Sequence, residues 1–193
     1  MSVHKSLPHD AALLHVSGQA RYIDDIPTPA DTLHLAFGVS AIAHGEITSL
    51  DLEDVFASEG VIDVLTSSQL PFENDVSPSA HDEPLLSTGD IHYLGQPIFL
   101  VIATSHLAAR KAARLAKITY HDNPPILSID DALAANSRFE DGPRIYGQGD
   151  ISVIDSAPVV IEDSFEIGGQ EHFYLESQAA LAVPQEDGEM VVH

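Results

Sequence analysis

The chain contains no cysteine. That absence excludes disulfides, thiolate metal sites, iron–sulfur ligation by this chain and a cysteine nucleophile. It also removes any marker of an oxidising compartment. Basic residues are scarce: 8 Lys and Arg stand against 30 Asp and Glu in 193 residues, a formal charge of −22. A phosphate-binding surface needs clustered cations, so nucleic acid is not an expected partner. No run of about 18 apolar residues occurs. The N-terminus, Met1 to Asp10, is polar and lacks the apolar centre of a secretory leader. Neither a membrane span nor secretion is expected, and the cytoplasm is the default location. The 11 histidines are scattered, with no His-x-x-x-His pair to suggest a metal site.

What is present describes an ordinary globular chain. Hydrophobic residues make up 44% of it, too many for disorder, and the length suffices for a core without staples. Leu33, Leu35, Phe37 and Val39 alternate and predict a strand with that face inward. Ile47 and Leu50 lead into a short acidic helix, Asp51 to Ser58, which Gly60 would cap. Val61–Thr66 reads as a strand, residues 70–84 as a loop, and the apolar run Pro97–Ala103 as a central strand. Ser105 is a candidate N-cap for a helix over His106–Ala116, and Lys117–His121 returns as a strand.

Half of the basic residues, Arg110, Lys111, Arg114 and Lys117, lie on or beside that helix. Arg110, Arg114 and Lys117 fall at i, i+4, i+7, with Ala108, Ala112 and Leu115 facing elsewhere, which describes a solvated helix face. Asp122-Asn123-Pro124-Pro125 is the clearest boundary signal. Ser128 then opens a short helix ending near Ala135, Asn136–Gly149 reads as linker, and strands are expected at Val159–Ile167, Gln178–Val183 and Glu189–Val192. Strands and helices without regular alternation favour an α+β fold.

Several stretches have the residue types that carry chemistry. Gly168-Gly169-Gln170-Glu171-His172-Phe173-Tyr174-Leu175-Glu176 sets a glycine pair before an amide, two acids, a histidine and two aromatics. Glycines let a backbone approach a ligand, and the Gln170 amide both donates and accepts. The bland alternative is a β-bulge followed by a strand. His44, in Ala43-His44-Gly45, is expected to be a hydrogen-bonded turn residue, and His81-Asp82-Glu83-Pro84 an exposed loop. Asp24-Asp25 before Ile26-Pro27 reads as an acidic turn. No Gly-x-Gly-x-x-Gly or phosphate loop is present.

Together these stretches resemble the molybdenum-binding part of xanthine dehydrogenases and aldehyde oxidases. Gly18-Gln19-Ala20-Arg21-Tyr22-Ile23-Asp24-Asp25-Ile26-Pro27 is similar to its opening. Ala43 to Asp51, Gly60 to Thr66, His81 to Leu86 and Tyr93-Leu94-Gly95-Gln96-Pro97-Ile98 follow in the family's order, and Gly168 to Glu176 is the most specific match. The forms His-Asp-Glu-Pro and Gln-Glu-His-Phe-Tyr-Leu-Glu look most like the bacterial xanthine dehydrogenase molybdenum subunit.

The resemblance implies a tail over 1–15, an α/β-hammerhead domain over 16–123, a linker over 124–147 and the truncated start of a molybdopterin-binding domain over 148–193. It implies that Gln170 lies beside the molybdenum centre as an outer contact, with Gly168 and Gly169 permitting the approach. No catalytic residue and no metal ligand is expected in these 193 residues. The base glutamate and most pterin contacts belong to the rest of the parent, so Glu171 and Glu176 are not assigned that role. The implied parent hydroxylates hypoxanthine or xanthine with Mo-molybdopterin, passing electrons to 2Fe-2S clusters, FAD and NAD on partner subunits or domains. The chain alone is expected to be inactive and to hold no cofactor. The competing expectations are an aldehyde oxidase-type enzyme and a stand-alone, non-catalytic hammerhead serving as an interaction or scaffold domain.

Overall fold

A computed structural model of the chain describes residues 4–138 and 144–193. Its elements run α1 (Ala12–Ser17), β1 (His34–Val39), β2 (Gly45–Asp51), α2 (Glu53–Phe56), β3 (Val61–Thr66), β4 (Asp90–Ile91), β5 (Pro97–Ala103), α3 (His106–Ala113), β6 (Lys117–Asp122), α4 (Ile129–Ala134), β7 (Ala182–Pro184) and β8 (Met190–Val192). They divide into two units. One comprises residues 30–145; the other joins residues 1–29 to 146–193. Among the described residues, no helix is long and apolar enough to cross a membrane.

The 30–145 unit contains two three-stranded antiparallel sheets, ordered β1-β5-β3 and β4-β2-β6. The apolar run Pro97–Ala103 is β5, paired on both edges, which is why it carries no polar alternation. Phe99, Val101 and Ala103 are fully buried with Val64, Val55 and Ile91, and Ala109 and Ala112 of α3 close over them. Small residues on α3 let its backbone lie near the sheet. Ser105 caps this helix by accepting from the Ala108 N–H at 3.2 Å, and Ser128 caps α4 from the Asp131 N–H at 3.1 Å.

The alternation in β1 is real, but its faces are reversed from the expectation. Leu35, Phe37 and Val39 point outward at 55%, 44% and 49% exposure, while Gly38 is buried and Ala36 packs against the core. The cause is Phe99, the register partner of Gly38. A Cβ added to Gly38 would lie 2.0 Å from the Phe99 ring. The inward face of β1 therefore consists of small residues, because the aromatic ring from the next strand already fills that space.

Other departures have equally local causes. Ile47 and Leu50 are three apart, a spacing no regular strand can turn to one face, yet both pack against the core. A bulge between Ile47 and Ser49 supplies the shift, and the extra residue, Thr48, donates its hydroxyl to the Thr119 carbonyl at 3.1 Å. Helix α2 ends at Phe56 with Ala57 as its cap, so Gly60 is a turn glycine (φ +84°) instead of the expected helix cap. Helix α3 stops at Ala113. Lys117 thus begins β6, and Ala109 and Ala112 are buried while Leu115 is exposed.

The expected strand at Val159–Ile167 does not form, and those at Gln178–Val183 and Glu189–Val192 shrink to the short hairpin β7–β8. A strand exists only through a partner's hydrogen bonds, and Ile161, Phe165 and Ile167 are each at least 85% exposed.

Substituting Gly38 by alanine should overpack the core and cost about 1–3 kcal/mol, whereas Phe99→Ala should cost about 3–5 kcal/mol through a cavity. Urea unfolding of the two variants measures both. An unchanged midpoint for Gly38→Ala would contradict the packing described.

Candidate functional site

The candidate stretch Gly168–Glu176 lies in the unit formed by residues 1–29 and 146–193. It adopts neither a helix nor a strand, so the bulge-plus-strand alternative does not hold. Local turns shape it instead. Phe173 takes a left-handed backbone (φ +53°), and its N–H donates to Glu171 Oε1 at 3.3 Å. Gln178 Nε2 donates to the Tyr174 hydroxyl at 3.4 Å. Glu176 reaches furthest: its Oε1 accepts from the Ile23 backbone N–H at 2.6 Å, across 153 residues of sequence. The structure therefore brings together two stretches that were singled out separately, Gly18–Pro27 and Gly168–Glu176.

The acidic turn at Asp24-Asp25 is a 3-10 turn over Ile23–Asp25. Asp25 Oδ2 accepts from the Tyr22 N–H at 3.0 Å, and the Asp25 N–H returns to the Tyr22 carbonyl at 3.0 Å. The Asp25 carboxylate is a structural acceptor for an N–H group at the start of the turn.

Gln170 is exposed. Gly168 and Gly169 do not use the freedom glycine offers. Neither has a positive φ, and a Cβ added to either would meet nothing within 4 Å. Contrast Gly45, where an added Cβ would sit 2.1 Å from the His121 carbonyl oxygen, so the β2–β6 approach demands glycine. Glycine in place of alanine costs roughly 0.5–1 kcal/mol of chain entropy. Nothing in the described residues offsets that at 168 and 169. The bare backbone and the Gln170 amide form a donor set suited to a group held by hydrogen bonds. No group of three or more His, Asp or Glu side chains that could hold a metal ion exists among the described residues.

The remaining candidates lie in the 30–145 unit. His44 Nδ1 bonds the Pro124 carbonyl at 3.2 Å, a turn contact as expected. His81 pairs with Asp75 in the loop over residues 70–89, where Asn74 braces Leu86 through both its Oδ1 and Nδ2 atoms, at 2.9 and 2.7 Å. The cations beside α3 are surface groups. Lys117 Nζ lies 2.7 Å from Asp54 Oδ2, which raises its pKa.

Sequence reasoning missed the polar knot at Ser40 and Gln96, both buried. Ser40 Oγ accepts from the N–H groups of Gly95 and Gln96 at 3.0 and 3.1 Å and donates to the Tyr93 carbonyl at 2.8 Å. Gln96 Oε1 accepts from the His92 N–H at 2.7 Å. The available signal was a glutamine placed directly before the most apolar run in the chain.

Residues 17–124 match the family described as aldehyde oxidase and xanthine dehydrogenase, a/b hammerhead domain. Residues 137–193 match the molybdopterin cofactor-binding domain. The chain belongs to the aldehyde oxidase and xanthine dehydrogenase family of molybdenum hydroxylases. It is α+β, a hammerhead domain followed by the start of a molybdopterin-binding domain. It is 39% identical over 98% of its length to a nicotinate hydroxylase of Emericella nidulans, and 38% identical over 94% to a xanthine dehydrogenase of Drosophila subobscura. An aldehyde oxidase 4 of Mus musculus is 38% identical over 96% of it. In each case the chain spans 14% of the relative's length. The aldehyde oxidoreductase of Desulfovibrio gigas superposes with a TM-score of 0.79 at 28% identity, over 96% of this chain and 23% of that one.

Hydrogen bonds from the Ser77 hydroxyl and backbone, then from His81, hold the Asp75 carboxyl down from 3.8 to about 2. The stabilising carboxylate form is thus fully present above about pH 4 and is lost as pH falls through about 2. NMR titration of the Asp75 carboxyl should show that low midpoint, with Ser77→Ala raising it more than His81→Ala. A midpoint of 3.8 in the unaltered chain would contradict the geometry.

Proposed function

We propose that this chain is the leading portion of the molybdenum subunit of a xanthine dehydrogenase-like hydroxylase that oxidises hypoxanthine and xanthine in the cytoplasm. The observation that carries the reading is the order of the two family matches, with Gly168-Gly169-Gln170 inside the second and unexplained by packing within the chain. Gln170, Gly169 and Gly168 would hold Mo-molybdopterin from its outer side. The group, when bound, supplies two-electron oxidation of a carbon centre with insertion of oxygen.

The chain's own residues orient and admit. The Gln170 amide N–H donates and its carbonyl accepts, fixing one orientation of whatever lies beside it. The glycine pair removes the side chains that would keep that group at a distance. Glu171 and Glu176 each accept a backbone hydrogen bond, from Phe173 and Ile23. The family resemblance places the base in the remainder of the parent. The domain limits 16–123 and 148–193, and a partner subunit or domain bearing 2Fe-2S clusters and FAD to take electrons onward, belong to the same proposal.

An aldehyde substrate is the second reading, favoured by the aldehyde oxidases and the aldehyde oxidoreductase among its relatives and structural neighbours. The decisive assay uses the molybdenum-loaded enzyme that contains this chain, given hypoxanthine, xanthine and an aromatic aldehyde in parallel. Faster turnover of the purines supports the first reading; preference for the aldehyde replaces it with the second. The 193-residue chain purified alone should oxidise none of them and retain no stoichiometric molybdenum. Turnover or bound metal in that sample would contradict the assignment of the base to the absent part.

A further inference from the structure

The unit that carries Gln170 is assembled from two stretches of chain, residues 1–29 and 146–193. Between Ala157 and Leu181 the second stretch has no helix or strand, so no ladder of backbone hydrogen bonds fixes where Gly168–Glu176 lies. A side-chain hydrogen bond from this segment reaches the first stretch. Glu176 Oε1 accepts from the Ile23 N–H at 2.6 Å, and both residues are partly buried. Ile23 opens the 3-10 turn Ile23–Asp25, whose first N–H groups have no acceptor within the turn. The Tyr22 N–H is taken by Asp25 Oδ2, and the Asp25 N–H by the Tyr22 carbonyl. The Ile23 N–H is a further donor at the start of this turn, and the Glu176 carboxylate, 153 residues away in sequence, takes it. A charged acceptor at that distance makes a strong hydrogen bond.

We propose that Glu176 is a positioning residue: its carboxylate clasps the Gly168–Glu176 segment to the turn at Ile23 and so sets where Gln170 is presented. From Glu176 back to Gln170 the path is only six residues. It is stiffened by the left-handed Phe173 and by the Glu171 carboxylate on the Phe173 N–H. An anchor at 176 therefore constrains 170. This rests on the reading of Gln170 as an outer contact of the cofactor.

The test compares the molybdenum-loaded enzyme containing this chain with its Glu176→Gln and Glu176→Ala forms. Three readouts are taken: amide hydrogen exchange at Ile23 and over residues 168–176, molybdenum content, and kcat separately from KM. Glu176→Ala should speed exchange at both places and lower kcat, each on the order of tenfold, with KM little changed. Glu176→Gln keeps an accepting oxygen without its charge and should restore most of both. Should Glu176→Ala fail to fold, Glu176→Gln carries the test, with a smaller change in the same direction. Unchanged exchange over 168–176 would overturn the clasp. Faster exchange there with unaltered kcat would sustain the clasp and overturn the placement of Gln170. A loss in kcat that Glu176→Gln does not relieve would overturn the role of the hydrogen bond.

Discussion

The 30–145 unit depends on a ring placed where a side chain is missing. Phe99 lies across Gly38, its partner in the neighbouring strand, and is fully buried there. That contact decides which face of β1 turns inward, and lets Ala109 and Ala112 of α3 close over the sheet. The polar ends of β5 follow the same economy. Ser40 and Gln96 are buried at its start, where Ser40 Oγ adds an acceptor for the Gly95 and Gln96 N–H groups and Gln96 Oε1 takes the His92 N–H.

The other unit is held differently. Residues 158–180 lie in no helix or strand, and their apolar side chains at Ile161, Phe165 and Ile167 are exposed. Single contacts hold this unit in place: Glu171 on Phe173 and Glu176 on Ile23 from this stretch, and Asp25 on Tyr22 at the turn it meets. Carboxylates here act as acceptors for backbone donors. Part of the chain's negative charge is used in this way. The glycines separate by role. Gly38 and Gly45 are required by close approach within the chain, while an added Cβ at Gly168 or Gly169 would meet nothing within 4 Å among the described residues.

Much of this was legible from residue order. The run Pro97–Ala103 announced a strand paired on both sides, because only a strand without a wet face tolerates seven apolar residues in succession. Ser105 and Ser128 announced helix starts through their hydroxyls. The face of β1 was not legible, since alternation reveals a period and not which face a ring from another strand occupies. Nor was the bulge at Thr48, which depends on the register of β6. The strand expected at Val159–Ile167 failed because apolar, β-branched residues favour extension but cannot supply a partner. For the site, the glycine pair and Gln170 stood out in the sequence. The Glu176–Ile23 bond did not, because it joins residues 153 apart.

The account stands on the side chain of Gln170 lying beside a pterin-held molybdenum. A crystal structure of the molybdenum-loaded enzyme containing this chain measures that directly. The account predicts the Gln170 amide within hydrogen-bond distance of the molybdenum's own ligands, with the bare backbone of Gly168 and Gly169 facing the same group. A Gln170 side chain turned to solvent, with the metal centre contacted by other segments, would contradict it.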